Sequence, residues 1–153
     1  MPVDNFTKVR VIYADTDAMG VVYHTNYIKW FEVGRNEFMR QLGVPCTELG
    51  KLGLNLPLIK VSCDYLKFTT YDQILTIETK FDYIKRASIR FNSRIWDENK
   101  ENVLVEGYTI HACTNNEGKI RRIPKLLLEL INKYNIKGEC YGGKIIKKRI
   151  KGA

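Results

Sequence analysis

Several features that mark other protein classes are missing from this chain of 153 residues. It has no run of 18 apolar residues, which argues against a membrane-spanning helix. The start MPVDNFTK lacks the basic and apolar segments of a secretion signal, so we expect a soluble cytoplasmic protein. Proline occurs only four times, and hydrophobic residues make up 44% of the chain. This composition excludes disorder and collagen-like repeats and suits one folded domain.

Cysteine and histidine are also scarce. The four cysteines are Cys46, Cys63, Cys113 and Cys140. Histidine occurs only at positions 24 and 111, and no Cys or His pair has the spacing of zinc ligands, so we expect no metal site. The cysteines are most simply reduced thiols, and a Cys nucleophile paired with either histidine is the alternative.

Positive charge is in excess, with 25 Lys and Arg, 17 Asp and Glu and a net charge of +8. By itself this suggests a nucleic acid, an acidic membrane or a phosphorylated ligand. Residues 119–153 hold 11 Lys and Arg against two Glu, so the excess belongs to the end of the chain. We predict a folded domain over residues 1–136 and a basic tail over residues 137–153. The tail is solvated, or it contacts an acidic carrier protein or anionic lipid.

Apolar and polar residues alternate in five segments, which is the period of a half-buried β-strand. The segments are residues 6–13, 56–68, 74–83, 87–96 and 103–114. The last four follow one another with short polar links. Parallel neighbours would need crossover helices, so this succession predicts an antiparallel meander.

Residues 26–42 instead carry apolar side chains at steps of three and four, which predicts an amphipathic helix about 25 Å long. Thr25 or Asn26 is suited to cap its start, and Gly43 is suited to end it. Gly34 lies on the apolar face, where we expect another backbone to approach closely. A shorter helix is predicted at residues 124–134. The fold class is α+β, with one long helix and a sheet of about five strands covering each other.

The turn between the first strand and the long helix concentrates chemically active groups. Residues 13–27 read YADTDAMGVVYHTNY and include Asp15, Asp17 and His24. The N–H groups at a helix start favour developing negative charge, so a carbonyl oxygen bound there would be polarised. A carboxylate beside it could act as a nucleophile or as a base for water, which suits the hydrolysis of an activated acyl group. The alternative is an acidic turn whose aspartates only cap backbone amides.

Two other motifs begin in a similar way. The sequence DTDAMG resembles the opening of an EF-hand loop, but Met19 and Asn26 stand where calcium ligands are required. The same acids after an apolar strand resemble the nucleophile turn of haloacid-dehalogenase-type phosphatases. Those enzymes need an alternating α/β chain, and the succession of strands after residue 55 argues against one.

The pattern Tyr-x-Asp-Thr-Asp-x-x-Gly-Val-Val-Tyr-His-x-Asn-Tyr, followed by Trp-Phe-Glu and Arg35, resembles the hotdog-fold acyl-CoA thioesterases of the YbgC and 4-hydroxybenzoyl-CoA thioesterase family. The resemblance implies one long helix wrapped by an antiparallel sheet. It also implies a homodimer with sheets paired edge to edge, active sites at the subunit interface and a homotetramer built from dimers. The implied substrate is an acyl-CoA, with no cofactor besides the coenzyme A that the substrate carries.

Carried over by position, the resemblance implies Asp17 as catalytic general base or nucleophile, accompanied by Tyr13 and His24. The backbone amide at His24 falls where the family polarises the substrate carbonyl. The substrate-binding residues are expected to be Gly20, Val21, Val22, Tyr23, Lys85 and Arg86. The last two lie in a hairpin where basic residues of the benzoyl-CoA branch hold the nucleotide.

Asp15 and His111 have structural interpretations. We expect Asp15 to hold the turn and His111 to be an ordinary residue of a strand. Two functional alternatives to an acyl-CoA thioesterase stay open at this point. One is a non-catalytic module that binds acyl-CoA or an acyl carrier protein, and the other is a basic binder of nucleic acid or membrane surfaces. The position of the excess charge argues against a nucleic-acid role for the domain.

Overall fold

The computed structural model describes residues 5–136. The predicted tail at residues 137–153, with Cys140, lies outside the described residues. The elements in chain order are β1 (Phe6–Arg10), α1 (His24–Gln41), α2 (Cys46–Lys51), β2 (Leu58–Tyr65), β3 (Ile74–Lys85), β4 (Ser88–Asp97), β5 (Val103–Ala112) and α3 (Lys125–Ile136). The α+β class, the long helix, the five-stranded sheet and the short C-terminal helix are as predicted.

All strand pairs in the sheet are antiparallel, and the spatial order is β1-β3-β4-β5-β2. The predicted meander is therefore correct for β3, β4 and β5 and wrong for β2. Instead of pairing with β3, β2 crosses the sheet and pairs with β5, so that Cys63 lies opposite Gly107. This crossing makes β2 an edge strand, with β1 at the opposite edge.

Helix α1 lies across one face of the sheet and supplies the core. Its buried residues are Tyr27, Trp30, Phe31, Gly34, Phe38 and Met39. They divide into two clusters along the helix. Trp30 and Phe31 pack with Ile77 and Ile95 near the helix start, whereas Phe38 packs with residues of α3 near the helix end. The aromatic stripe predicted from helical spacing is therefore the core of the molecule.

Gly34 permits the close packing of α1 on β3. A Cβ at this position would lie 2.6 Å from Ile77 Cγ2 and 2.7 Å from Thr79 Oγ1. Only glycine lacks that atom, so the helix can approach the strand at this distance. The close approach predicted at Gly34 is present, but it is made by side-chain atoms of β3 and not by another backbone.

The structure differs from the sequence prediction at several element ends and in one additional helix. Helix α1 begins at His24 with Tyr23 as its N-cap and has no capping side chain, so the predicted cap at Thr25 or Asn26 is wrong. Strand β1 ends at Arg10, and Tyr13 lies in a short 3-10 turn. Helix α2 was not predicted, because its six residues carry too little periodicity to stand out from the loop.

Candidate active site

The loop of residues 11–23, here called the site loop, connects β1 to α1 and is held by a buried acid. Asp15 is 5% exposed. Its Oδ2 accepts a 2.9 Å hydrogen bond from the Ile12 N–H, and its Oδ1 lies 3.3 Å from the Lys29 ammonium. The Asp15 carbonyl accepts from the Tyr23 N–H at 2.8 Å. Asp15 therefore ties both ends of the loop together and has the structural role predicted for it.

Asp17 lies at the tip of the same loop and has a different environment. Its Oδ1 accepts a 2.8 Å hydrogen bond from the Met19 N–H, and the Gly20 N–H donates to its carbonyl at 2.9 Å. Gly20 has a φ of +78°, which glycine adopts without strain and which closes the turn. No donor from residues 5–136 contacts Oδ2 of Asp17. One carboxylate oxygen thus orients the group, and the other is available to a substrate or a water molecule.

The start of α1 adds hydrogen-bond donors to this surface. Within residues 5–136, the backbone N–H groups of His24 and Thr25 have no protein acceptor, and no side chain caps the helix. Unpaired donors at a helix start and the positive end of the helix dipole favour an oxygen that gains negative charge. They provide the chemistry expected for polarising a carbonyl.

The two predicted companions of Asp17 are both exposed side chains. Tyr13 is 73% exposed, and its ring stacks on Tyr71 with centroids 3.8 Å apart and planes 14° apart. The His24 ring lies 4.3 Å from the Tyr23 ring. In the described part of the chain, no hydrogen bond joins the side chains of Tyr13, Asp17 and His24. The fold therefore places all three residues on the site loop or at the start of α1, but their side chains do not contact one another through hydrogen bonds.

An apolar cleft opens beside the helix start. It is lined by Val22, His24, Tyr27, Tyr65, Leu66, Lys67 and Phe68. Val22 is buried, and its N–H donates to the Thr69 carbonyl at 3.0 Å, which joins the site loop to the loop after β2. Of the predicted substrate-binding residues, Val22 therefore lines the cleft, and Val21 and Tyr23 flank it along the chain.

Tyr65 belongs to this site and was not predicted from the sequence. It is the last residue of β2, and its hydroxyl donates a 3.0 Å hydrogen bond to the His24 carbonyl. The two residues are 41 positions apart in the chain. An aromatic residue at a strand end is ordinary in local sequence, so only the tertiary structure connects it with His24.

Lys85 and Arg86 lie far from the site loop within one chain. They form the exposed turn between β3 and β4, whereas the site loop follows Arg10, which pairs with Ile74 at the other end of β3. At a rise of about 3.3 Å per residue, the 11 steps along β3 separate the two ends by roughly 35 Å. A single chain does not bring these basic residues together with Asp17.

The second histidine is buried away from the site loop. His111 has no exposed surface, and its Nδ1 lies 2.9 Å from the Leu56 carbonyl. Its Nε2 lies 2.7 Å from Nη1 of Arg35 and 2.9 Å from Oγ1 of Thr109. This pattern fits a neutral ring that donates from Nδ1 and accepts at Nε2. Burial and the neighbouring Arg35 charge lower the pKa of His111 to about 4.

Residues 5–136 contain no group of three or more metal-ligating side chains, and no helix in this range is long and apolar enough to cross a membrane. Cys46, Cys63 and Cys113 are free thiols, of which Cys46 is exposed and Cys113 is buried.

Residues 11–131 match the family model described as the thioesterase-like superfamily. The acyl-CoA thioesterase YbgC of Haemophilus influenzae is 32% identical over 116 residues, which cover 75% of this chain and 83% of that protein. A solved structure from Aquifex aeolicus is 32% identical with a TM-score of 0.77, covering 82% of this chain and 98% of the other. The DHNA-CoA thioesterase of Staphylococcus aureus has a TM-score of 0.80 at 26% identity, with coverage of 89% and 95%.

Proposed function

We propose that this chain, which belongs to the thioesterase-like superfamily and is a thioester hydrolase, acts on acyl-CoA. The proposed products are a free acid and coenzyme A, and Asp17 is the reacting carboxylate. The observation that carries the proposal is that, within residues 5–136, Oδ2 of Asp17 has no donor and the first N–H groups of α1, to which its loop leads, have no acceptor. The names of the relatives support the acyl-CoA substrate.

In the proposed reaction, the thioester carbonyl oxygen accepts hydrogen bonds from the N–H groups of His24 and Thr25. These donors stabilise the negative charge that develops on the oxygen as the carbon is attacked. Asp17 either attacks the carbon itself, forming an anhydride that water then hydrolyses, or removes a proton from the attacking water. The C–S bond breaks in both routes, and the thiolate leaves and takes up a proton. His24 and Tyr13 are the proton-bearing side chains that the resemblance associates with Asp17.

We propose that the active enzyme is a homodimer joined through β2. The outer edge of β2 has no partner strand within residues 5–136, so its backbone groups are available for pairing. Exposed apolar side chains accompany this edge at Leu58, Ile59, Val61, Tyr65 and Leu66. A long apolar edge strand is a template for pairing with another chain. A second copy of the same strand would pair the backbone groups of both edges and bury the apolar side chains of both.

Charge supports one register for this pairing. In an antiparallel pair with its two-fold axis at Ser62, Lys60 of each copy stands opposite Asp64 of the other. Both side chains are exposed and lie on the same face of β2. A shift of the axis by one residue in either direction loses both oppositely charged pairs, so this register is self-complementary.

The same pairing supports the role expected of Lys85 and Arg86. The β3–β4 turn lies at the Leu58 end of the sheet, since Leu58 pairs with His111 and His111 with Ile89. Antiparallel pairing would bring that end of the partner beside the Tyr65 end of the first copy. The partner's basic turn would then be three to four strand spacings away, about 15–20 Å. An extended acyl-CoA could bind Asp17 of one copy and the basic turn of the other.

Three further expectations belong to the proposal. The resemblance supports association of dimers into a tetramer, whereas action in the cytoplasm and contact of the basic end of the chain with an acyl carrier protein stay predictions from the sequence. A module that binds acyl-CoA without cleaving it is the less favoured alternative, because the relatives bear the names of hydrolases.

Asp17→Asn tests the proposed function directly. The purified chain is assayed for thiol release from a panel of short, long and aromatic acyl-CoAs. We expect turnover by the wild type and a loss of about 100-fold or more in kcat for Asp17→Asn, since the amide is neither base nor nucleophile. Asp72→Asn is the matched control, because Asp72 is exposed on a neighbouring loop at a positive φ that Asn tolerates. Wild-type binding without turnover, or equal turnover by Asp17→Asn, would refute the proposal.

A further inference from the structure

The hydrogen bond from Tyr65 to the His24 carbonyl acts on a peptide group at the proposed site. The His24 carbonyl and the Thr25 N–H belong to one planar unit. Tyr65 donates to the oxygen of this unit at 3.0 Å, and the N–H on its other side has no acceptor within residues 5–136. A hydrogen bond at the oxygen polarises the group and makes its N–H a stronger donor.

The Tyr65 phenol is itself held firmly in place. Its ring packs edge-on against Tyr27, with centroids 5.6 Å apart, and lies 6.4 Å from the His24 ring at 89°. Tyr65 ends β2 and has nearly half of its surface exposed, and its contacts with Tyr27, His24 and Cys63 locate it. Partial burial and the neighbouring Cys63 raise the pKa of Tyr65 to about 12, so the hydroxyl remains a donor at neutral pH.

We propose that Tyr65 is a positioning residue for thioester hydrolysis. Its hydroxyl fixes the His24–Thr25 peptide plane, which aims and strengthens the Thr25 N–H toward the substrate oxygen and holds the His24 ring beside the cleft. Tyr65 does not touch the reacting atoms in this proposal. The inference rests on the proposed function, because the oxygen to which the Thr25 N–H donates is the carbonyl oxygen of the thioester.

Tyr65→Phe removes one oxygen and keeps the ring, so the packing against Tyr27 is retained. We expect kcat to fall about tenfold with KM within twofold, less than the roughly 100-fold cost of removing an oxyanion donor outright. Tyr108→Phe is the matched control, since Tyr108 lies on the outer face of β5 and its ring contacts Arg90. The control is expected to keep the wild-type kcat, and both variants are expected to keep the wild-type unfolding midpoint.

Nuclear magnetic resonance of the same full-length variants gives a readout independent of activity. The chain has only two histidines, so the imidazole signals of His24 and His111 can be followed separately. We expect Tyr65→Phe to shift the Thr25 amide and His24 ring signals and to leave the His111 ring signals unchanged. Tyr108→Phe is expected to shift neither His24 nor Thr25.

Two outcomes would overturn the proposal. One is a Tyr65→Phe variant whose kcat and Thr25 amide signal both match the wild type. The other is a shift of His111 as large as that of His24, which indicates a general structural change. Failure of the proposed function is distinguishable, because a wild type that cleaves no acyl-CoA loses the kinetic comparison while the resonance shifts still test the hydrogen bond.

Discussion

At the residue scale, the two aspartates of the site loop show how environment assigns different roles to the same side chain. Asp15 is buried, accepts a backbone hydrogen bond and lies against Lys29, so its charge is used to hold the loop. Asp17 is partly exposed, and one of its carboxylate oxygens has no donor among residues 5–136. The two acids are only two positions apart in the sequence. Because only Asp15 is buried, Asp15 has a structural role, and Asp17 is left as the proposed reacting carboxylate.

The ionisation of His111 couples the stability of the fold to pH. Its pKa falls from 6.5 in the unfolded chain to about 4 in the folded one. Between these values the unfolded chain binds the proton more tightly, so protonation favours unfolding. The stabilisation is complete above pH 6.5 and is lost as the pH falls toward 4, at about 1.4 kcal/mol per pH unit and roughly 3 kcal/mol in total.

We predict that His111→Gln removes this pH dependence. Its free energy of unfolding, measured with urea from pH 7.5 to pH 4, is expected to fall less steeply than that of the wild type. The gap between the two proteins should therefore narrow by roughly 3 kcal/mol as the pH falls, because Gln does not titrate. Carboxylate titration is common to both proteins and cancels in the comparison. Parallel curves for the two proteins would contradict the prediction.

At the element scale, the contact between α1 and β3 controls how closely helix and sheet pack. The sequence shows a glycine in the middle of an apolar helix face, which costs about 1 kcal/mol in helix propensity. The structure shows what offsets that cost, because the missing Cβ leaves room for Ile77 and Thr79. The Thr79 hydroxyl is buried there without a hydrogen-bond partner among the described residues, so the contact has no polar compensation.

We predict that Gly34→Ala destabilises the protein by about 1–2 kcal/mol in urea unfolding. The added methyl group meets two side-chain atoms inside 3 Å, and such overpacking outweighs the gain in helix propensity. Gly50→Ala in α2 is the matched control, since a Cβ there meets nothing within 4 Å. The control should be neutral or slightly stabilising. A Gly34→Ala variant as stable as that control would show that β3 gives way without cost.

At the scale of the whole molecule, the crossing of β2 to the far edge of the sheet has the largest consequence for function. It leaves an apolar strand edge exposed, and it connects that edge through Tyr65 to the start of α1. Assembly and catalysis thus share one strand in the proposed enzyme. Through this connection, formation of the dimer would influence the geometry of the active site.

We predict that Lys60→Glu and Asp64→Lys each weaken the dimer and that the double variant restores it. Each single change sets like charges opposite each other twice across the two-fold axis, which should raise the dissociation constant about tenfold at low ionic strength. Analytical ultracentrifugation measures this constant. Lys8→Glu, on the opposite edge strand β1, is the control and should leave it unchanged. A double variant as weak as the single ones would rule out the register centred on Ser62.

Much of this molecule follows from local sequence. Alternation and helical periodicity predict all five strands, α1 and α3, because burial of one face imposes those periods on any half-buried element. The site loop is recognisable for the same reason, since its acids, Gly20 and His24 stand close together in the chain. The exact start of α1 escaped prediction because local signals at helix ends are weak, and α2 escaped it because its six residues carry too little periodicity.

The sequence by itself determined the five strands, α1, α3 and the loop that carries Asp17, because each depends on residues near one another in the chain. Only the tertiary structure decided the place of β2 at the sheet edge, the burial of His111 against Arg35 and the contact of Tyr65 with His24. These depend on pairing between strands distant in sequence, which no local period encodes. The separation of Lys85 and Arg86 from Asp17 has the same origin, since strand length alone sets opposite ends of a sheet apart.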